Sequence, residues 1–555
     1  TAGALRRRCT PGGGVPMSRV VVIGAGVAGL ATAALLGRDG HEVTVLERRD
    51  VTGGRAGSWE QDGFTFDTGP SWYLMPEVFE HFFALLGTSV EDHLELTDLD
   101  PAYRVFGEDY EDPLEIRTGR EDAIALFESV EPGAGAQLAT YLDSGRDAYD
   151  MAVRSFLYTT FSRVPLSTLL GVLPRTGRLA RLLLESLHHR IARTVTDTRL
   201  QQVLGYPAVF LGATPRTAPS MYHLMSAMDL EDGVKYPQGG FSRLVAAIEE
   251  QTRLAGAQIR TGVEVTRIRT ARTSVLPGRR GTRTTGVELR RADGGIEQID
   301  ADVVVSAADL HHTETRLLDA ADRTYDEGYW RRRTSGPGAV LALLGVEGAL
   351  PELTHHNLLF TADWDRNFAE VFGERPRVPD PASAYVCMPS ASDPTVAPDG
   401  MENLFVLIPV SPDAEDGTSV GRGGIDGGGD AAVEAAVDAA IAMIAAEASI
   451  PDLADRIRVR RTIGPADFAA DYHSWRGNAL GPGHTLRQSA FLRGTNRSRK
   501  VAGLLYAGGT TVPGVGLPMC LISAENVLKR LRGDVSDGPL PTDTLTRDAG
   551  SGTGR

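Results

Sequence analysis

Cysteine, positive charge and long apolar segments are all scarce in this chain of 555 residues. Its three cysteines, Cys9, Cys387 and Cys520, are odd in number and far apart, so they indicate neither a disulfide framework nor a metal site. The 72 acidic residues outnumber 57 basic ones, and the net charge of −15 argues against a nucleic-acid partner. No apolar run reaches the roughly 18 residues of a membrane span, so we expect no segment to cross a bilayer. The three scattered cysteines fit a reducing cytosol, and we expect a cytoplasmic location.

The length of the chain favours two or three domains. Residues 1–16 contain Arg6-Arg7-Arg8 but no apolar core, which argues against a secretory signal. Met17 stands directly before the first apolar run. We therefore expect residues 1–16 to form a disordered extension that precedes the fold.

A glycine-rich turn follows that first apolar run. Arg19–Ile23 predicts a buried strand, Gly24-x-Gly26-x-x-Gly29 predicts a turn into a helix, and a second apolar run ends at Glu47. This βαβ pattern is the dinucleotide fingerprint, in which Gly24 permits the tight turn, Gly26 lets backbone approach a pyrophosphate, and Gly29 lets the helix lie close on the strand. The helix N-terminus faces the phosphates, and Glu47 stands where a carboxylate accepts hydrogen bonds from a ribose.

Two short motifs downstream make the cofactor more specific. Gly53-Gly54-Arg55 is by itself also typical of a solvated loop, and Asp67-Thr68-Gly69-Pro70 ends a short alternating strand. Together with the first fingerprint they resemble the FAD signature of the amine-oxidase-like flavoproteins, which include amine oxidases, protoporphyrinogen oxidase and the carotenoid desaturases. An NAD dehydrogenase is expected to carry only the first motif. The resemblance implies FAD as the cofactor.

Residues 151–200 contain eight arginines against two acids, together with many leucines and phenylalanines. Such a basic, apolar segment suits an interfacial surface on anionic lipid. Pro165 and Pro174 break it into short helices, so it can lie on a membrane without crossing one. The alternative is a helical subdomain with an arginine-rich outer face. We expect peripheral association with the cell membrane.

The region after residue 230 extends the resemblance. A Tyr-Pro-x-Gly-Gly turn at 236–240 precedes an amphipathic helix and then the predicted strand around Gly262-Val263-Glu264-Val265. This order of motifs resembles that of the carotenoid desaturases. In those proteins, the residue at the position of Val265 contacts the adenine through its backbone. Arg272–Gly286 predicts a polar loop that interrupts a hairpin, and residues 301–308 predict a buried parallel strand.

The middle of the chain is less informative about chemistry. Apolar runs between Gly338 and Val410 predict an antiparallel substrate-domain sheet, residues 411–430 a flexible glycine-rich loop, and Ala431–Ala448 a helix. Adjacent residues face different ways on a helix or strand, so we interpret three histidine pairs as incidental rather than as metal ligands. The pairs are His188-His189, His311-His312 and His355-His356.

The last informative block holds a buried strand, a glycine turn at Gly508-Gly509 and the segment Pro513–Met519, which opens a helix. The N-terminus of this helix would point at the flavin pyrimidine edge. The block closely resembles the C-terminal signature of the bacterial and fungal-type phytoene desaturases. Departures are modest: Val512 stands where many members have histidine, and Met519 where many have glycine. Both put the substrate and the number of desaturation steps in doubt.

The resemblance implies an FAD-dependent carotenoid desaturase, foremost a phytoene desaturase that converts phytoene stepwise toward lycopene by hydride transfer to flavin N5. Thr511, Val512 and Val515 would shape the pocket wall for a long apolar polyene. His484 and Arg487 are weaker candidates near the site, with loop hydrogen bonding as the alternative role. No acid or base catalyst is identified. The electron acceptor (oxygen or a quinone) and the oligomeric state are left open.

Three alternatives are open at this point. The first is another carotenoid-modifying flavoprotein, such as a diapophytoene or methoxyneurosporene desaturase, a ketolase or a carotene cis–trans isomerase. The second is an amine or porphyrinogen oxidase. The third is a non-catalytic relative of the same fold, such as a prenylated-GTPase escort protein.

The predicted fold class is α/β: an FAD-binding Rossmann-like domain of glutathione-reductase type, a mixed-sheet substrate domain and a helical membrane-associating subdomain. The expected FAD-binding parts are 17–88, 231–310 and 486–534, the substrate-domain parts are 89–150 and 311–485, the helical subdomain is 151–230, and 535–555 is a disordered tail. The residues expected to bind the cofactor are Gly24, Gly26, Gly29, Glu47, Arg48, Gly54, Arg55, Gly69, Pro70, Val265, Gly508, Gly509, Leu517, Pro518 and Met519.

Overall fold

The computed structural model describes residues 17–108, 110, 112–162, 176–276, 279–373, 376–412 and 420–545. Several predictions fall wholly or partly outside these residues. Among them are the disordered extension at 1–16, the part of the arginine-rich segment at 163–175, residues 277–278 of the predicted polar loop, and parts of the predicted glycine-rich loop and tail at 413–419 and 546–555.

The strands of the described residues are named in chain order. They are β1 (Arg19–Ile23), β2 (Glu42–Leu46), β3 (Ser58–Gln61), β4 (Phe64–Asp67), β5 (Leu96–Asp98), β6 (Tyr103–Gly107), β7 (Leu114–Ile116), β8 (Lys235–Pro237), β9 (Gln258–Arg260), β10 (Val263–Leu276), β11 (Arg279–Arg291), β12 (Ile296–Asp300), β13 (Val303–Ser306), β14 (Gly338–Glu347), β15 (His356–Phe360), β16 (Ala384–Cys387), β17 (Met401–Val410), β18 (Ile457–Ile463), β19 (Val501–Ala502) and β20 (Leu504–Tyr506).

The α-helices are named in the same way. They are α1 (Val27–Arg38), α2 (Pro76–Leu86), α3 (Arg120–Val130), α4 (Ala134–Ala152), α5 (Thr176–Leu184), α6 (Leu187–Ala192), α7 (Thr198–Gly205), α8 (Pro207–Phe210), α9 (Leu224–Asp232), α10 (Phe241–Leu254), α11 (Leu310–Arg316), α12 (Glu327–Trp330), α13 (Trp364–Phe372), α14 (Ala431–Glu447), α15 (Pro465–Tyr472) and α16 (Leu517–Arg532).

A five-stranded parallel sheet carries the first glycine turn. Its order is β20-β13-β1-β2-β9, and each neighbouring pair is parallel. The valines of β1 are buried on both sides, and α1 packs between α10 and α16. This arrangement confirms the Rossmann-like fold and places the carboxyl ends of β1, β13 and β20 side by side, where ligands bind in such sheets.

The polar segment predicted as a loop at Arg272–Gly286 is instead part of a long hairpin. Antiparallel pairing of β10 with β11 runs from Val263 opposite Arg291 to Leu276 opposite Arg279. The prediction was wrong because β11 has a second partner there: β19 pairs alongside Thr282 and Arg283. Threonine has a high strand propensity, and this added pairing gives the segment a sheet context that its sequence does not reveal.

A seven-stranded sheet, in the order β18-β14-β17-β16-β15-β6-β7, forms the second layer. Most of its pairs are antiparallel as expected, but β15 and β6 are parallel, so the sheet is mixed. Along β14, Val340, Ala342 and Leu344 share a core with α14, while Ala339 and Leu341 line a cavity on the other face. The predicted helix at Ala431–Ala448 is confirmed as α14.

The segments predicted as a flexible loop and as a disordered tail both have ordered parts. Residues 420–430 carry backbone hydrogen bonds, among them Gly423 N–H to the carboxylate of Asp467 at 2.7 Å. The tail prediction is wrong for 535–545, because Leu540 and Leu545 are buried and the Leu540 N–H donates to Glu525 at 2.8 Å. Both segments are polar in composition, but a few apolar or carboxylate contacts hold them.

The described parts of 151–230 consist of the end of α4, a π-helical turn and the helices α5–α9. Among the described residues, none of the helices combines the length and the apolarity that crossing a bilayer needs.

Candidate functional site

A single cavity of about 1080 Å³ extends from the first glycine turn to the seven-stranded sheet. It is larger than the roughly 300–1,000 Å³ of a typical small-ligand pocket, as expected for a site that holds a dinucleotide and a second long ligand. It brings together most of the residues predicted from the sequence. They are Gly24, Gly26, Glu47, Arg48, Gly54, Arg55, Gly69, Pro70, Val265, Gly508, Gly509, Val512, Val515, Leu517, Pro518 and Met519.

Gly29 supports the cavity without lining it. A Cβ atom on Gly29 would lie 1.9 Å from the carbonyl oxygen of Gly24, so α1 lies directly against the turn. Gly24 has a φ of +95°, a left-handed conformation that disfavours other residues. The two glycines hold the turn and the helix in the arrangement that the fingerprint predicts.

The second glycine pair packs against the first turn. Gly53 N–H donates to the carbonyl of Ala25 at 2.9 Å, and a Cβ on Gly54 would lie 3.1 Å from the Cα of Gly26. Backbone without side chains therefore lines the cavity at the start of α1. The first turn of this helix has no acidic residue and no side-chain cap. An uncompensated helix N-terminus of this kind fits a pyrophosphate.

Glu47 is fixed by two backbone groups. Its Oε2 accepts from Ala25 N–H at 2.7 Å and its Oε1 from Arg49 N–H at 2.8 Å. A carboxylate has about four acceptor positions, so two are left for ribose hydroxyls. Glu47 thus also holds the glycine turn, a role that its position in the sequence does not reveal.

Arg55 and Arg48 differ in the hydrogen bonds that their guanidinium groups already donate to the protein. Arg55 is half-buried, and its Nε atom is buried without a hydrogen-bond partner among the described residues, although the guanidinium bonds to Ser474. Burial lowers the pKa of Arg55, and the nearby Asp309 acts in the opposite direction. A buried donor without a partner is rare and fits a phosphate oxygen. Arg48 lines the cavity but already donates to two carbonyls of α15.

A buried arginine that the sequence analysis gave no role holds the second glycine turn. The guanidinium of Arg493 donates to the carbonyls of Thr511 at 3.0 Å, Pro482 at 3.2 Å and Gly509 at 2.6 Å. Burial lowers its pKa to about 10, so it keeps its charge at neutral pH. We call Arg493 with these three carbonyls the arginine clamp.

Thr511 does not line the cavity, which corrects its prediction as pocket wall. Its hydroxyl donates to the carbonyl of Gly508 at 2.9 Å and lies within the turn. Val512 and Val515 do line the cavity, and so does His484, whereas the exposed Arg487 does not. The Nδ1 of His484 bonds to the Leu211 carbonyl at 2.9 Å, and burial, with a contribution from Arg493, lowers its pKa to about 3.

The far end of the cavity has an aromatic wall that sequence reasoning missed. Trp72 lies 5.7 Å from Phe210 and 6.2 Å from Tyr385 between ring centroids, and Phe405 completes the wall. These residues come from distant segments, and only the packing of the sheet on the helices brings them together. At the rim, the leucines Leu486 and Leu492 are 40% and 42% exposed.

The chain matches the family of flavin-containing amine oxidoreductases over residues 27–527. It belongs to this family. It is therefore an oxidoreductase with FAD as its cofactor. Three features of the cavity fit FAD: the glycine backbone at the start of α1, the carboxylate of Glu47, and the Nε of Arg55 that has no partner among the described residues.

Two curated relatives of this flavoprotein extend over nearly its whole length. The carotenoid 3,4-desaturase of Haloarcula japonica is 38% identical and covers 93% of this chain and 98% of its own. The zeta-carotene-forming phytoene desaturase of Myxococcus xanthus is 35% identical over 92% of this chain and 93% of its own. An oxidoreductase structure from Methanosarcina mazei shares the fold with a TM-score of 0.58 and 18% identity, covering 92% of this chain and 100% of its own.

Proposed function

We propose that this flavoprotein is a carotenoid desaturase that introduces double bonds into a long apolar polyene. The observation that carries the proposal is the similarity to two carotenoid desaturases at 38% and 35% identity over more than nine-tenths of the chain. The cavity supports it, since the part beyond the glycine turns is walled by aromatic and aliphatic side chains. Such a surface suits a hydrocarbon chain and not an amine, which would need an acceptor or a charge partner.

Different segments of the chain would bind the AMP part and the flavin part of FAD. The start of α1 and Arg55 would hold the pyrophosphate, Glu47 the ribose, and the backbone near Val265 the adenine. The N-terminus of α16, with Leu517 and Pro518, would face the flavin. The domain bounds predicted from the sequence are part of this proposal.

Desaturation removes a hydride and a proton from adjacent carbons. Bound FAD supplies the two-electron acceptor for the hydride. The apolar walls keep water away from the reacting bond, and the arginine clamp fixes the turn that faces it. The positive end of the α16 dipole favours the negative charge that the transfer creates.

Phytoene, converted stepwise toward lycopene, is the substrate we propose first. The Haloarcula japonica relative favours a second candidate, desaturation at the 3,4 position of a carotenoid that is already conjugated. The test is incubation of the FAD-loaded protein with liposomes that contain either phytoene or lycopene, with a quinone or oxygen as acceptor. We expect visible absorption bands from phytoene, or a product two hydrogens lighter from lycopene.

Mass spectrometry of the products separates the alternatives. A carotene isomer of unchanged mass would indicate an isomerase, and a gain of oxygen a ketolase. If neither carotenoid changes while amines or porphyrinogens release peroxide, the proposal is wrong.

We also propose that the mouth of the cavity lies on an anionic membrane, from which the polyene enters. Leu486 and Leu492 at the rim are exposed, and Leu184, which follows the cavity-lining Leu183, is 78% exposed. The side chains of Arg154 and Arg181 are 79% and 63% exposed in the same helical region. Exposed leucines beside exposed arginines are the combination that an acidic lipid surface binds.

Replacing Leu184, Leu486 and Leu492 together by serine is expected to release the protein from liposomes that contain anionic lipid. Each inserted leucine contributes about 1–2 kcal/mol, so the triple variant should bind at least about 100-fold more weakly. Co-sedimentation with vesicles measures this. Leu254→Ser is the matched control, because Leu254 is 72% exposed but does not line the cavity. Equal binding of the triple variant and the wild type would contradict the proposal.

Arg493→Met is expected to reduce turnover by about 100-fold while FAD stays bound. The variant removes three hydrogen bonds from a charged donor, each worth about 1.5–3 kcal/mol, and leaves buried carbonyls unpaired. The AMP end of the site is untouched, so the flavin content should not change. Turnover and the visible circular dichroism of the flavin are the measurements.

Two further variants test whether Arg493 acts by positioning the turn. Arg493→Lys keeps the charge but cannot span three carbonyls, so it should recover only part of the activity. Arg487→Met removes an exposed arginine from the same block and should behave as the wild type. If Arg493→Met changes neither turnover nor the flavin signal, the clamp is only structural.

A further inference from the structure

Two histidines and a cysteine meet behind the aromatic wall of the cavity. His355, His356 and Cys387 are 2%, 0% and 1% exposed. One ring nitrogen of each histidine and the Sγ of Cys387 lie within 4.8 Å of one another. We call these three residues the His-His-Cys cluster.

The backbone explains why the cluster forms. Cys387 is the cross-strand partner of His356 in the antiparallel pair β15 and β16, so both side chains lie on the same face of the sheet. His355 precedes the first residue of β15, so the alternation of a regular strand does not apply to it. The two imidazole centroids are 4.5 Å apart. The interpretation that the two members of this pair face different ways was therefore wrong.

Each imidazole makes a hydrogen bond through one ring nitrogen, and its other ring nitrogen has no hydrogen-bond partner among the described residues. The Nδ1 of His355 bonds to the hydroxyl of Ser392, and the Nδ1 of His356 to the hydroxyl of Tyr385 at 2.8 Å. The Nε2 atoms of both are buried without a hydrogen-bond partner among the described residues. Metal-binding histidines show this arrangement, in which a hydrogen bond at one nitrogen orients the ring.

We propose that the His-His-Cys cluster binds one zinc ion. Two imidazoles and a thiolate are donors that zinc prefers, and a fourth position remains for a non-protein ligand. Zinc–donor distances of about 2.0–2.3 Å require the three donors to move closer together by about 1 Å when the ion binds. Binding displaces the thiol proton of Cys387 and involves no change of oxidation state.

The position of the proposed ion has a consequence for the cavity. Trp72 stacks on the ring of His356 with centroids 4.7 Å apart and an interplanar angle of 13°. Because Trp72 lines the cavity, an ion on His356 would fix this part of its wall.

The experiment uses the FAD-loaded protein after removal of metals with EDTA. Titration with Co²⁺ is expected to give one equivalent of bound metal and a thiolate-to-cobalt charge-transfer band, and one equivalent of Zn²⁺ should remove the band. Cys387→Ser should abolish the band, and His355→Gln should weaken Co²⁺ binding by at least 100-fold. His189→Gln alters an exposed member of another pair and should bind as the wild type.

The cobalt titration measures metal binding and not turnover, so its result is independent of the desaturase assay. Flavin absorbance and the melting temperature show that each variant is folded. If the wild type shows no charge-transfer band, or Cys387→Ser keeps it, the cluster packs as neutral side chains and the proposal is wrong.

Discussion

Gly26→Ala is expected to remove most FAD binding and leave the fold intact. A Cβ at this position would meet no atom of the chain closer than 3.8 Å, so it fits the protein and projects into the cavity. That space is where the pyrophosphate must approach the backbone, and overpacking there costs about 1–3 kcal/mol, or roughly 10- to 100-fold in affinity. Titration of the apoprotein with FAD, followed by flavin fluorescence, measures the change.

Gly29→Ala provides the contrast. Its Cβ would lie 1.9 Å from a backbone oxygen, so α1 must leave the sheet and the variant should lose its fold as well as its cofactor. Gly177→Ala, a helix position with no atom within 4 Å of the added carbon, is the neutral control. If Gly26→Ala binds FAD as tightly as the wild type, the pyrophosphate does not lie at the start of α1.

The free energy of unfolding is expected to fall as the pH falls from 6.5 to 5, by about 1 kcal/mol per pH unit at the start of this range and by about 4 kcal/mol per unit at its end. Burial lowers the pKa of seven histidines, and the effect is largest at five of them: the pKa falls to about 3 for His223, His312, His355 and His484, and well below 6.5 for His356. These side chains take up protons only when the chain unfolds, so acid favours the unfolded state.

Five carboxyl groups with a raised pKa act in the opposite direction, and the effect is largest at two aspartates. Burial raises the pKa of Asp67 and Asp229 to about 7, so both hold a proton in the folded chain that they release on unfolding above pH 3.8. For the five histidines and two aspartates with the largest shifts, unfolding takes up about one proton per chain at pH 6.5, where the unfolded histidines are half protonated, and about three at pH 5. With a stability of about 5–15 kcal/mol, the protein should unfold below about pH 5.

Denaturant titrations of the metal-free protein from pH 5 to 8 test this expectation. His223→Gln should reduce the pH dependence by about 1.4 kcal/mol per unit. His189→Gln, at a side chain that is 64% exposed, should leave it unchanged. A free energy of unfolding that does not vary over this range would show that these histidines are protonated in the fold.

The cofactor half of the site could be predicted from the sequence because it depends on local backbone geometry. Gly24 and Gly54 have a positive φ that favours glycine, and Gly26 leaves space beside the start of α1 for the cofactor. Glu47 follows a strand at a set distance, and the apolar run of β1 marks the strand before the turn. Such features have a fixed spacing along the chain, so a reader of the sequence can recognise them.

The substrate half could not be predicted, because its residues meet only through tertiary packing. Trp72, Phe210 and Phe405 come from three separate segments, and no local pattern marks them as one wall. Arg493 has no neighbouring acid in the sequence, and only its burial against three carbonyls shows its role. The hairpin at Arg272–Gly286 was missed for a similar reason, since its second partner strand lies more than two hundred residues later.

The parallel sheet has a consequence for how the protein is made. β1 starts at Arg19, but β20, the strand that precedes the second glycine turn, ends at Tyr506. The cofactor site is therefore incomplete until almost the whole chain has left the ribosome. Contacts this distant in sequence fold slowly, and the apolar cavity walls are exposed in the meantime. We expect synthesis of this flavoprotein to depend on chaperones and on the supply of FAD at the moment of chain release.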